Sequence, residues 1–205
     1  MTLWLFLGSS MVCAQPLATV DKTLLVMGDS LSAAFGISTE QGWVHLLEQR
    51  LSEQNLRYRV INASVSGETT AGGRVRFQPL LQRYSPTIVI LELGANDGLR
   101  GSSLTDMQAN LTEMIQQARQ AGAPVLLLGM RIPPNYGKPY TEKFHQVYLE
   151  LAKAHTIALV PFFMEGVGGN PQLTQADGIH PTAEAQSRLL ANIWEVLSKL
   201  LKTGN

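Results

Sequence analysis

Leu24-Leu25-Val26-Met27-Gly28-Asp29-Ser30-Leu31-Ser32 is the stretch on which the fold of this chain depends. Its apolar half ends abruptly in Gly-Asp-Ser, and the apolar residues beyond that point recur at helical spacing. This pattern is typical of a buried parallel strand that leads through a tight turn to the N-terminus of a helix. Because open α/β sheets bind ligands beyond the carboxyl ends of their strands, we expect Ser30 to lie in a binding crevice. Its backbone N–H would be unpaired there, beside the positive end of the helix dipole.

Ser30 has two interpretations. Asp29 or Ser30 can be the N-cap of the helix, a role that both residue types often fill. Alternatively, Ser30 is a nucleophile, which requires a base, a carboxylate that orients the base, and donors that stabilise an oxyanion. The rest of the chain decides between them.

Strand-like and helical patterns alternate along the chain. Short apolar runs predict strands at 23–27, 58–62, 87–93, 125–129 and 158–161. Amphipathic spacing predicts helices at 41–53, 69–84, 104–121, 141–155 and 183–202. Such alternation predicts a parallel sheet with helices on both faces, and right-handed crossovers favour the flavodoxin-like strand order 2-1-3-4-5. We therefore predict the α/β class, as a three-layer α/β/α sandwich around five parallel strands.

The composition is that of an ordinary soluble domain. With 205 residues, the chain is long enough for one domain with a sizeable core, which we place at 19–205. Basic and acidic residues balance to a formal net charge of zero, and no Lys/Arg run stands out. We therefore expect neither nucleic acid nor an anionic membrane surface as a partner.

Residues 1–18 differ from the rest. Leu3-Trp4-Leu5-Phe6-Leu7 leads through small residues to Val12-Cys13-Ala14, like the apolar region and cleavage site of a signal peptide, although no Lys or Arg precedes it. The run is too short to span a bilayer, so we predict a signal peptide and a periplasmic or secreted protein; a buried terminus is the alternative. Cys13, the one cysteine, is either a lipid-attachment residue or is removed with this segment. Its removal would leave no disulfide and no cysteine-based metal site.

Polar or glycine-rich loops follow all five predicted strands, so we expect them to gather at one edge of the sheet. Three of the four histidines, His45, His145 and His155, fall in or near predicted helices, and no metal-binding spacing occurs. His180 differs, because it stands in the turn Asp177-Gly178-Ile179-His180-Pro181 just before the last helix. That turn can bring the Asp177 carboxylate within reach of the imidazole, or it can be only an Asx-turn or a surface ion pair.

An acyl-transfer site would use these residues as its parts. His180 would accept the proton of Ser30, and Asp177 would hold the imidazole in the right tautomer. The candidate oxyanion donors are the backbone N–H groups of Ser30 and Gly67 and the side-chain NH₂ of Asn96, since glycine allows a close approach to the substrate. Asn96 could instead cap a helix or tie two loops together. Asp29 and Asp97 are interpreted as turn or capping residues.

Four stretches of the chain together resemble the sequence blocks of the GDSL, or SGNH, hydrolases, in the same order. They are Gly28-Asp29-Ser30-Leu31, Gly67, Gly94-Ala95-Asn96-Asp97 and Asp177-Gly178-Ile179-His180. The resemblance covers the chain from about Leu24 to its end. It implies the SGNH hydrolase fold, Ser30 as nucleophile, Gly67 and Asn96 as oxyanion donors, and His180 with Asp177 as base and orienting carboxylate. No cofactor and no metal are expected.

Three further stretches are similar to a bacterial subgroup of this family, the thioesterase I/lysophospholipase L1 enzymes. They are 91–101, 131–137 and Pro161-Phe162-Phe163-Met164-Glu165. This similarity implies a periplasmic monomer that hydrolyses small-molecule acyl esters and thioesters with broad specificity. It also implies that the loop 98–101, with Gly98, Leu99 and Arg100 as substrate-binding residues, moves over the acyl chain. Ile132 and Pro133 are expected to line the path of that chain.

Two other functions are alternatives to this one. A carbohydrate deacetylase or acyltransferase on the same scaffold would differ in acyl-chain length, since an apolar groove near Leu99, Ile132 and Phe162 favours chains longer than acetyl. A phosphate-binding protein would also use a glycine turn after the first strand. However, the chain lacks the glycine-rich phosphate motifs, and Asp177 and His180 would then have no role. A nucleophile-elbow hydrolase is disfavoured because GxSxG does not occur.

Overall fold

The computed structural model describes residues 22–203. The signal peptide predicted at 1–18 lies outside the described residues. None of the helices between residues 22 and 203 is long and apolar enough to cross a bilayer.

Five parallel strands form one sheet. They are β1 (Lys22–Gly28), β2 (Tyr58–Asn62), β3 (Ile88–Glu92), β4 (Val125–Leu128) and β5 (Ala158–Val160). Their order is β2-β1-β3-β4-β5, and every neighbouring pair is parallel. All residues of β3 and β4 are buried, as expected for strands covered on both faces. The predicted fold class and strand order are confirmed.

Six α-helices surround the sheet in the described part of the chain. They are α1 (Trp43–Glu53), α2 (Thr70–Tyr84), α3 (Ala95–Leu99), α4 (Leu104–Gln120), α5 (Lys138–His155) and α6 (Gln186–Thr203). Helix α1 contacts α6 on one side, while α2 contacts α4 and α4 contacts α5 on the other. Short 3₁₀ turns at Thr39–Gln41 and Pro134–Tyr136 were not predicted, and neither was the five-residue α3.

The prediction of a helix directly after Ser30 is wrong. Residues 30–36 form consecutive turns, and the first α-helix of the described chain begins only at Trp43. The amide N–H of Ala33 donates to the carbonyl of Asp29 at 3.0 Å, and that of Phe35 donates to the carbonyl of Ser30 at 3.2 Å. Ala34 then adopts φ +57°, a left-handed conformation that ends the helical path. The predicted helix dipole beside Ser30 is therefore replaced by a series of turns.

Candidate active site

Ser30, His180 and Asp177 form a continuous hydrogen-bonded chain. Ser30 Oγ lies 2.8 Å from His180 Nε2, and His180 Nδ1 lies 2.6 Å from Asp177 Oδ2. The assignment that satisfies both contacts has the serine O–H donating to Nε2 and Nδ1–H donating to the carboxylate. Ser30 and His180 are separated by 150 positions in the sequence, and the fold joins them at the carboxyl edge of the sheet.

Asp177 is held by the turn that contains it. Its Oδ1 accepts the backbone N–H groups of Ile179 and His180, at 2.9 and 3.0 Å. Desolvation alone would raise the pKa of this carboxyl, but the hydrogen bonds from His180 and Ile179 outweigh it and lower the pKa from 3.8 to about 2. The Asp177 carboxylate therefore has two roles. Its Oδ1 closes the Asx-turn, and its Oδ2 contacts the imidazole of His180.

A second pair of carboxyl groups lies beneath the serine. Asp29 and Glu92 are both fully buried, and the register of β1 and β3 pairs Gly28 with Glu92. Glu92 Oε2 accepts the Ser32 hydroxyl at 2.7 Å and the Asp29 amide at 3.2 Å. Its Oε1 has no hydrogen-bond donor among the described residues.

Burial shifts the protonation of both groups. Desolvation, and then the charge of Asp29, raises the pKa of Glu92 well above 4.5, and desolvation raises the pKa of Asp29 to about 6. Both shifts favour the protonated acid, and the same burial beneath Ser30 causes them.

Asn96 is oriented by Asp29. Its Nδ2 donates to Asp29 Oδ2 at 3.1 Å, while Asp29 Oδ1 accepts the Leu31 amide at 3.0 Å. An amide nitrogen has two hydrogens, so one remains for a substrate oxygen. Asn96 thus ties two loops together, as its alternative interpretation proposed, and still lines the cavity in front of Ser30.

Gly67 stands in the loop after β2 with φ +80°, a conformation that favours glycine. Its carbonyl accepts Arg100 Nη2 at 3.0 Å. Among residues 22–203, no hydrogen bond uses the backbone N–H of Gly67 or of Ser30. Both groups remain available as donors, although Gly67 does not line the cavity described next.

A cavity of about 490 Å³ opens in front of Ser30 and His180. Apolar side chains form most of its wall: Leu31, Leu99, Met130, Ile132, Pro133, Pro134, Phe162, Met164 and Ile179. Arg131 is the one arginine or lysine among the described lining residues, and its guanidinium lies 5.3 Å from the centre of the Phe162 ring. A pocket with this wall accommodates an apolar chain that ends at the serine.

The residues predicted to contact substrate divide into two groups. Leu99, Ile132 and Pro133 line the cavity. Gly98 and Arg100 do not: a Cβ on Gly98 would collide with the ring of Phe144, and Arg100 is exposed and bonded to the Gly67 carbonyl. Gly98 therefore supports the packing of α3, and Arg100 braces the Gly67 loop.

Sequence reasoning missed two contacts of the site. Phe35 places its ring 4.3 Å from the His180 ring, centre to centre, and Glu92 lies under Asp29. Asp97, by contrast, is structural as interpreted: its carboxylate accepts the hydroxyl and amide of Thr70, at 2.7 and 2.9 Å. A long apolar strand that ends in a carboxyl residue, as Leu91-Glu92 does, was the one available signal for Glu92.

The parallel sheet and the hydrogen-bonded Ser30, His180 and Asp177 at its carboxyl edge define the class of protein, a serine hydrolase of α/β architecture. Comparison with known sequences gives the family. The model of the GDSL-like lipase/acylhydrolase family matches residues 26–188, and the chain belongs to this family.

Similar proteins and structures come from several bacteria. The chain is 55% identical over 180 residues to esterase TesA of Pseudomonas aeruginosa, with 88% of this chain and 90% of that protein aligned. It is 42% identical over 169 residues to thioesterase 1/protease 1/lysophospholipase L1 of Escherichia coli, with 82% and 80% aligned. The crystal structure of the psychrotrophic esterase EstA from Pseudoalteromonas sp. superposes with a TM-score of 0.84 at 40% identity, covering 89% of this chain and 100% of that one.

Proposed function

We propose that this protein is a serine esterase and thioesterase that forms an acyl-enzyme on Ser30. The observation that carries the proposal is the hydrogen-bonded chain from Ser30 Oγ through His180 to Asp177 at the mouth of an apolar cavity. The substrates are small-molecule acyl esters and thioesters. The enzyme acts as a monomer and is exported by residues 1–18.

In the first half-reaction, Ser30 Oγ attacks the carbonyl carbon while its proton passes to His180 Nε2. The resulting imidazolium is stabilised by Asp177 through Nδ1–H. The negative charge that develops on the carbonyl oxygen is stabilised by the backbone N–H groups of Ser30 and Gly67 and by Asn96 Nδ2. His180 then gives the proton to the leaving alkoxide or thiolate as the tetrahedral intermediate collapses to the acyl-enzyme.

In the second half-reaction, His180 takes a proton from water as that water attacks the acyl-enzyme. The same donors stabilise the second tetrahedral intermediate. Collapse of this intermediate releases the carboxylic acid and returns the proton to Ser30 Oγ. The acyl chain lies along Leu99, Ile132 and Pro133, and the loop that carries Leu99 moves with it.

A comparison of wild type with Ser30→Ala on p-nitrophenyl esters of increasing chain length, and on an acyl thioester, tests this function. We expect kcat to fall by about 10⁴- to 10⁶-fold in the variant. We also expect an optimum beyond acetyl for the wild type. Ser52→Ala, a change of an exposed serine on α1, is the matched control and should retain full activity.

Deacetylation of carbohydrates is the second candidate on this scaffold. The apolar wall of the cavity argues against it, because an acetyl group would leave most of that wall in water. A serine-dependent activity confined to acetyl esters would establish deacetylation. Full activity of Ser30→Ala would show that Ser30 is only a turn residue.

A further inference from the structure

The loop that carries the base lies outside the regular elements of the fold. Between β5 and α6, residues 161–185 are turns and irregular segments with an isolated bridge from Thr174 to Pro181. The His180 turn is internally closed, since the Gln175 amide donates to the His180 carbonyl at 2.7 Å. The sheet therefore does not by itself set the distance from His180 to Ser30. Contacts between the two loops must set it.

Two such contacts come from the turn after the nucleophile. The Phe35 ring covers the imidazole of His180, with ring centres 4.3 Å apart and planes inclined by 36°. Gln175 Nε2 donates to the carbonyl of Phe35 at 2.8 Å and to that of Pro181 at 2.9 Å. A Cβ on Gly36 would overlap the Gln175 side chain, so the glycine permits this approach. One residue, Phe35, is therefore held by the histidine loop and packs against its base.

The exposure of Phe35 is unusual for a residue with a purely structural role. As a whole residue Phe35 is 48% exposed, whereas the side chain of His180 is only 18% exposed. A half-exposed phenyl ring contributes little to the core, but its face shields the imidazole and attracts positive charge. The charged and titratable groups around His180 are Asp177 on its own turn, Asp29 at the end of β1 and Arg131 across the cavity.

We infer that Phe35, fixed by Gln175, is a positioning residue that holds the His180 imidazole against Ser30 and stabilises its protonated form in the transition state. This inference rests on the proposed function, because it assigns His180 the role of base. The ring acts in two ways. It limits rotation of the imidazole out of line with Ser30 Oγ, and its π-face interacts with the imidazolium that forms when the serine proton is transferred.

The test is the pH profile of kcat/KM for Phe35→Leu, Phe35→Tyr and wild type on one p-nitrophenyl ester. Without the ring the imidazolium is less stable, both in the free enzyme and in the transition state. We therefore expect Phe35→Leu to lower the plateau of kcat/KM by roughly 2- to 5-fold. The acid limb should move to lower pH by about 0.4 to 0.7 unit. Phe35→Tyr keeps the ring, so the plateau of kcat/KM and the position of the acid limb should both match the wild type.

A shift of the acid limb distinguishes this role from simple packing, since a misplaced loop would lower the plateau and leave the limb in place. Tyr84→Leu removes an aromatic ring at the C-terminus of α2, at the opposite edge of the sheet, and is the matched control. Gln175→Met removes the bond to the Phe35 carbonyl and also the bond to the Pro181 carbonyl. Because Gln175 acts through Phe35, the double variant with Phe35→Leu should lose less than the sum of the two single losses.

The role of Phe35 and the proposed serine mechanism would be overturned by different outcomes. An unmoved acid limb in Phe35→Leu, with Ser30→Ala inactive, would overturn the role of Phe35 and leave the serine mechanism intact. Full activity of Ser30→Ala would overturn the mechanism itself. The thermal midpoint shows whether each variant is folded before its profile is measured, and labelling of Ser30 by a fluorophosphonate is an additional check for the variants that keep this serine.

Discussion

Glu92→Gln should change the pH dependence of stability, because it removes a carboxyl group whose pKa is raised by burial in the folded state. Glutamine has the same shape as the protonated acid and can accept the Ser32 hydroxyl and the Asp29 amide as Glu92 does. The burial of Glu92 and the charge of Asp29 raise its pKa well above 4.5 in the folded protein. In the unfolded chain this carboxyl returns to its ordinary range.

The sign and size of the effect follow from proton linkage. From about pH 5 up to the folded-state pKa, the folded protein holds a proton on Glu92 that the unfolded chain has released. The free energy of unfolding of the wild type then falls by about 1.4 kcal/mol per pH unit through this group alone. Asp29, raised from 3.8 to about 6, adds a loss in the same direction from about pH 4 to pH 6. Asp29 is common to both proteins and largely cancels in their difference. The stability of Glu92→Gln relative to wild type should therefore grow by about 1.4 kcal/mol per pH unit.

Urea denaturation of both proteins at pH 5, 6 and 7 measures this difference directly. Parallel curves, with a constant difference across the three pH values, would mean that Glu92 is already ionised when folded and would refute the reasoning. Glu195→Gln is the control, since this side chain is 83% exposed on α6 and its removal should leave the pH dependence unchanged.

Two further predictions concern catalysis. Asn96→Ala should lower kcat by about 10²- to 10³-fold, because it removes an oxyanion donor and leaves the chain from Ser30 to Asp177 intact; a loss that appeared only in KM would exclude that role. Leu99→Ala should lower kcat/KM roughly tenfold for octanoyl and longer p-nitrophenyl esters, because a long acyl chain then packs against less apolar surface. The kcat/KM for the acetyl ester should stay nearly unchanged. Equal losses on short and long esters would remove Leu99 from the acyl path.

The sheet could be predicted because each strand has a local signature. Strands buried on both faces appear as continuous apolar runs, as in Ile88–Glu92 and Val125–Leu128, and the turn residues that follow mark their ends. The strand order then follows from the handedness of crossovers and needs no side-chain detail. Even the segment Asp177-Gly178-Ile179-His180 is informative locally, because an Asx-turn requires an aspartate or an asparagine at that spacing.

The local irregularities around the serine could not be predicted in the same way. Leu31, Ala34 and Phe35 have helical spacing, but Ala34 adopts φ +57° and the segment forms turns. The short helix α3 was not predicted, for the opposite reason. Its sequence Ala95-Asn96-Asp97-Gly98-Leu99 has turn-forming residues, and its position depends on the distant bonds from Thr70 to Asp97 and from Tyr140 to the Gly98 carbonyl. Tertiary contacts override local preference in both segments.

Glu92 shows why the deeper part of the site depends on the fold rather than on the motif. Nothing in Leu91-Glu92-Leu93 distinguishes a strand-end carboxyl that reaches solvent from one that is buried. The parallel register decides, since it pairs Glu92 with Gly28, and a Cβ on Gly28 would lie only 2.7 Å from Glu92 Oε2. Gly28 is therefore needed for more than the turn, because it leaves room for the buried carboxyl group that accepts the Asp29 amide. Asp29 in turn orients Asn96, so two hydrogen bonds connect Glu92 in the β1–β3 pairing to the side chain that we propose as an oxyanion donor.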